Sequence, residues 1–198
     1  LGDENCDVKR LLQRIEYVKN KPNAYCILNG DIIDNATRNS VGDIYAQTLN
    51  PMEQLARAVE IFSPIADKCL CLTHGNHENR TARSEGINLS ALLANQLGLH
   101  ERYTSTSALL FVRLGEESAG RKETNGSGNV RKICYSIYAL HGNGGGRREG
   151  GKINRLADMA AIIDADVYIH SHTHLPIIMK QAFYRTDVRN STVGIAEK

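Results

Sequence analysis

Four times along this chain a short apolar run stops abruptly at a cluster of Asp, Asn or His, and this recurrence constrains the fold more than any other feature. The runs are AYCIL (24–28), KCLCLT (68–73), KICYSIYAL (132–140) and ADVYI (165–169). Each is too short for a stable helix and is bounded by polar or glycine-containing sequence, so each reads as a buried strand. Helix-period segments lie between them. An α/β architecture follows, with the polar clusters gathered at the strand ends, the edge at which open α/β sheets bind ligands.

The intervening helices carry their own signals. From Val8, apolar residues recur at Leu11, Leu12, Ile15 and Val18 behind a cap at Asp7. Asn50 and Pro51 open a second helix with Met52, Leu55, Val59 and Phe62 on one side, and Pro64 is expected to stop it. A third runs from Leu89 to Leu97 and is closed by Gly98. SALLFVRL (107–114) and the 132–140 run pair as strands across a polar tip from Gly115 to Arg131, and a last helix carries Ile153, Leu156, Ala160 and Ile163.

Composition narrows the classes. With 198 residues, 41% of them apolar and 23% charged, the chain can bury one medium core, and residues 1–198 are expected to form a single domain. A net charge of +2 gives no global argument for nucleic acid or membrane binding. The five cysteines lack CxxC spacing, which predicts reduced, cytoplasmic usage rather than disulfides or a structural zinc site. No apolar run approaches the length of a membrane span.

The clusters themselves are GDIID (30–34), GNHE (75–78), LHG (140–142) and HTH (172–174). A mixed donor set of carboxylate, amide oxygen and imidazole suits a borderline divalent ion such as Mn, Fe or Zn, and excludes both a thiolate site and an all-oxygen Ca site. In this order the four motifs resemble those of the calcineurin-like metallophosphoesterases. The resemblance implies a four-layer αββα sandwich with two mixed central sheets, two divalent ions at the strand ends, and hydrolysis of phosphate mono- or diesters by a metal-activated water.

Position by position, the resemblance makes Asp31 the bridge between two metals, assigns Asn76, His141 and His172 to the second, and gives His174 to the first. It makes His77 the general acid, with Asp34 orienting it. His170 has no counterpart. A bridging carboxylate that holds two ions roughly 3.5 to 4 Å apart would activate water and neutralise charge on a phosphoryl oxygen without a covalent nucleophile.

The family also opens with a D-x-H motif that this chain lacks, so the expectation is that its first strand is missing, that the second metal is tight and that the first is weak. Further strands are expected beyond TVGIAEK (192–198). Ser171 stands where the family usually has Gly, and His74 where it has Pro or a small residue. Arg80 and Arg83, and Arg147, Arg148 and Lys152, follow two of the motif loops; some of these are expected to clamp the non-bridging oxygens or a second phosphate, with Arg80 and Arg148 the named candidates, since guanidinium pairs bidentately with phosphate. The glycine-rich stretch 142–151 lacks the Lys-Ser/Thr ending of a P-loop, and VGD (41–43) reads as a turn. The substrate is then a phosphate ester, with a nuclease or nucleotide phosphodiesterase as the alternative within the family. A degenerate metal-binding interaction module is the alternative of a different class.

Overall fold

A computed structural model describes residues 1–38, 40, 44–114, 133–143 and 148–197. The expected hairpin tip, the VGD turn, Arg147 and the centre of the glycine-rich stretch lie outside the described residues. Within them the chain is a mixed α/β fold with several sheets.

Helix α1 (Val8–Asn20) starts where expected, because the Asp7 carboxylate accepts the Arg10 N–H at 2.9 Å. It leads to β1 (Cys26–Asn29). Helix α2 (Pro51–Phe62) opens with a full capping box, in which Asn50 accepts from Met52 and Glu53 while the Glu53 carboxylate accepts from the Asn50 N–H. One expectation needs correction here. Met52 is exposed, because its side chain belongs to the first turn, and the polar Gln54 is buried in its stead. Helix α2 ends at Phe62, just ahead of Pro64 as expected, and a 3-10 turn over Ser63–Lys68 follows, with Pro64 near its start, where a missing N–H leaves nothing unsatisfied.

Strand β2 (Cys69–Thr73) pairs parallel to β1, with Leu28 opposite Leu72 and Asn29 opposite Thr73. Helices α3 (Asn79–Glu85) and α4 (Leu89–Gln96) follow, and then the two-residue β3 (Tyr103–Thr104), parallel to β2. Helix α3 had no signal in the sequence, since none of its residues is buried and no apolar period marks it. The first sheet, ordered β1-β2-β3, and α1, α2 and α4 enclose a core around Ile15, Leu28, Leu55, Phe62, Leu72 and Leu93.

The second sheet joins β4 (Ser107–Leu114) antiparallel to β5 (Ile133–Leu140), and β5 parallel to β6 (Val167–His170). Helix α5 (Glu149–Ile162) connects β5 to β6 and packs Met159 against Tyr138. A hairpin of β7 (Ala182–Asp187) and β8 (Thr192–Glu197) follows and pairs with neither sheet.

Asn29, the last residue of β1, ties the two sheets together. Its side-chain amide donates to the Leu140 carbonyl at 3.1 Å and to the Ser171 hydroxyl at 2.8 Å, while its oxygen accepts from the Thr73 hydroxyl at 2.8 Å. The ends of β1, β2, β5 and β6 are thereby drawn to one place. All four polar clusters follow those ends.

Candidate metal centre

Asp31 leaves β1 through a left-handed turn, with φ of 72° at Gly30 and 52° at Asp31 itself. Glycine is required at position 30 on two counts, the positive φ and the His141 ring, whose Nδ1 would lie 2.6 Å from any Cβ there. The loop that follows is held by a residue to which the sequence had assigned no role. Glu78, 2% exposed, accepts the N–H of Asp31 at 3.1 Å, of Ile32 at 2.6 Å and of Ile33 at 3.2 Å. One carboxylate therefore satisfies three main-chain donors that have no sheet partner.

A buried amide network closes the same loop from the other side. Asn35, also left-handed at φ 46°, donates from its side chain to the His77 carbonyl and the Thr81 hydroxyl, and its own N–H goes to Gln54. Gln54 in turn donates to Gln47, whose amide reaches the Asp34 carboxylate at 2.6 Å. The buried Gln54 that displaced Met52 from the core face is thus a support for the 31–35 loop.

Three potential ligands converge. One ligating atom each from Asp31, His141 and His172 lies within 4.8 Å of the others. Asn76 completes the group: its Oδ1 is 2.9 Å from His141 Nε2 and 2.7 Å from His172 Nδ1. His141 Nε2 is also 3.1 Å from Asp31 Oδ2. Its other nitrogen is committed, since Nδ1 lies 2.7 Å from the Asn29 carbonyl, which can only accept. In the neutral ring Nε2 then presents a lone pair toward a carboxylate oxygen and an amide oxygen. Such a meeting of electron-pair donors needs a cation or an extra proton among them, and the donor set fits a borderline divalent metal.

The electrostatics follow from the same contacts. Burial pushes the Asp31 carboxyl up, but the hydrogen bond from His141 and the His77 amide outweigh it and hold the group below the usual carboxylate range. Burial pushes His141 down, and the Asp31 carboxylate and Asn29 carbonyl overcome that and raise it. For His172, burial and the neighbouring His141 outweigh the Asp31 carboxylate and lower it.

The remaining candidates divide. His77 donates its N–H to Asp31 Oδ1 at 3.0 Å, and its Nδ1 sits 2.9 Å from both the carbonyl and a carboxylate oxygen of Asp34. Its Nε2 faces inward, 3.7 Å from Asp31 Oδ2. Arg80 donates to the Asp34 carbonyl at 2.8 Å. Arg148 is exposed just ahead of α5. His174 is exposed and outside the convergent group among the described residues.

The alternation expected of a strand does not reach the last histidines. Strand β6 ends at His170, and His172 and His174 have φ of 54° and 52°, so the three rings do not share one face. Non-glycine residues in this region cost roughly 1–3 kcal/mol each and persist only where their surroundings hold them. Ser171 is not among the left-handed residues and contributes its hydroxyl to Asn29. His74 lies outside the convergent group among the described residues, and its Nδ1 meets the Ser90 hydroxyl at 3.0 Å.

Among the described residues no helix is long and apolar enough to cross a membrane, and all five cysteines are free. The family model for the calcineurin-like phosphoesterases matches residues 4–176, which include every motif described above. No curated protein and no solved structure matches the chain.

Proposed function

The chain belongs to the calcineurin-like phosphoesterase family, and from that premise we propose that it hydrolyses phosphate mono- or diesters at a dinuclear metal centre. The observation that carries this reading is the placement of His141 Nε2 between Asp31 Oδ2 at 3.1 Å and Asn76 Oδ1 at 2.9 Å, with its other nitrogen bound to a carbonyl. The second metal position would be held by Asp31, Asn76, His141 and His172, and the first by Asp31 and His174. Divalent ions held there, Mn, Fe or Zn, would supply the polarisation of a water and of a phosphoryl oxygen that ester hydrolysis needs.

The protein's own residues act around that centre. His77 is the general acid: with Nδ1 held on Asp34, Nε2 is the nitrogen left to give a proton to the departing oxygen. Asp34 positions that ring and Arg80 holds the Asp34 main chain, so an arginine proposed as a phosphate grip also serves to set the acid. Arg148 remains the candidate grip on the α5 side. The two sheets and their covering helices would form the inner and outer layers of a four-layer sandwich, with residues 1–198 as one domain.

Hydrolysis of p-nitrophenyl phosphate and bis-p-nitrophenyl phosphate with manganese tests the activity, and elemental analysis counts the ions. Asn76→Ala should abolish turnover and release metal. His77→Ala should retain metal and lose roughly 100-fold or more in kcat, with a larger loss on phenyl or alkyl esters than on nitrophenyl esters, because a poor leaving group needs the acid more. Two bound ions without hydrolysis of any of these esters would sink the proposal and favour a non-catalytic metal-binding module.

A further inference from the structure

A cleft of about 410 Å³ opens beside the convergent group, and its lining includes Asn76 and His141. Two arginines from separate parts of the chain line the same cleft, Arg83 on α3 and Arg155 on α5. Helix α3 divides its arginines: Arg80 turns to the Asp34 loop, whereas Arg83 lies one turn beyond Asn79, another residue of the cleft. On α5, Arg155 is one turn before the buried Met159, which anchors that stretch of helix against Tyr138.

Neither guanidinium is consumed by the fold. Among the described residues Arg83 has no hydrogen-bond or carboxylate partner, and Arg155 has one hydrogen bond, at 3.5 Å to the Asn143 side chain, and no carboxylate partner. The lining contains one carboxylate, Asp158, against these two cations. A cleft of this volume is large enough for a nucleotide-sized group. One phosphate at the metal centre would leave room within it for another charged group.

We infer that Arg83 and Arg155 clamp a second phosphate of the substrate, so that the protein selects esters bearing two phosphate groups over those bearing one. The inference rests on the phosphoesterase reading for its first phosphate. Guanidinium is the group suited to this, because its planar fork pairs with two phosphate oxygens at once. The chemistry recognised is the second phosphate itself, whether a nucleotide or a sugar carries it.

The test compares two chromogenic esters with the same scissile bond, thymidine 5′-(p-nitrophenyl phosphate) and its 3′-phosphorylated form. The 3′-phosphorylated ester should have the higher kcat/KM by roughly tenfold or more, mainly through KM. In Arg83→Gln and Arg155→Gln that ratio should shrink, and in the double variant it should approach one. A ratio near one in the unaltered protein, or one unchanged in the double variant, would overturn the inference.

If neither ester is hydrolysed, the p-nitrophenyl phosphate assay decides the phosphoesterase reading separately, and calorimetry on the manganese-loaded protein tests the clamp alone. Thymidine 3′,5′-bisphosphate is measured there against thymidine 5′-phosphate, and fructose 1,6-bisphosphate against fructose 6-phosphate. A preference for the bisphosphate in either pair that both substitutions remove supports the clamp and tells a nucleotide from a sugar carrier. Equal binding within both pairs refutes it.

Discussion

The Nδ1 of His141 lies 2.7 Å from the main-chain oxygen of Asn29, and this contact decides which nitrogen of the ring faces the convergent group. The same Asn29 fixes the strand ends with its side chain, through Leu140, Ser171 and Thr73. Asn29→Ala leaves the carbonyl in place but removes these three bonds. It should lower stability by about 1–3 kcal/mol and weaken metal binding roughly 10- to 100-fold. Denaturant unfolding and a metal titration measure the two effects separately.

Glu78 offers a sharper substitution. Its two carboxylate oxygens accept three main-chain N–H groups, so Glu78→Gln sets an amide donor against at least one of them with almost no change of shape. The expected outcome is a loss of about 1–3 kcal/mol and a drop in metal affinity, since Asp31 rides on the loop that Glu78 holds. A variant of unaltered melting temperature would show that the loop is held by other contacts.

Gly75 lies against the Asp31 main chain. A Cβ there would run into the Asp31 amide nitrogen, its carboxylate and the Glu78 carboxylate. Gly75→Ala should therefore cost about 1–3 kcal/mol through overpacking and displace Asp31 from the convergent group. Gly150→Ala, at a helical site where a Cβ meets nothing within 4 Å, is the control and should be neutral or slightly stabilising. Paired melting curves and metal titrations compare the two.

The metal-free protein should show a pH dependence of defined sign. His141 is raised above its ordinary 6.5, so its contribution is complete below that value and is lost as pH rises through the raised pKa. Asp31 is lowered below 3.8, so its contribution is present above that value and is lost as pH falls through the lowered pKa. Thermal midpoints of the metal-free protein should fall as pH rises past 6.5, and His141→Ala should flatten that decline. Metal affinity should run the other way, strengthening with pH as protons cease to compete for the imidazoles.

How far the fold was legible depended on where each segment stands. Capped and periodic helices such as α1 and α2 declare themselves through Asp7 and Asn50, because capping is a local event. Helix α3 does not, since NRTARSE buries nothing and is held by its place after the GNHE loop. Met52 is exposed and Gln54 buried for a related reason. Periodicity assigns a face to a helix, but a buried amide is retained where a loop offers it partners, here the Asn35 N–H and Gln47.

The sequence by itself determined the kind of chemistry, because donor type and order are carried by the residues: Asp31, Asn76, His141 and His172 are named by four short motifs that follow strands. The tertiary structure alone decided how those donors are held. Gly30 and Gly75 matter because the His141 ring and the Asp31 main chain press on them, and Glu78 and Asn29 matter because they satisfy polar groups 44 to 142 residues away in the chain. Hydrogen bonds of that separation leave no periodic trace in the sequence, since each depends on loops from different strands arriving at one place. The same reasoning separates Arg80 from Arg83. They are three residues apart on one helix, yet one is bound to the Asp34 loop and the other lines the open cleft.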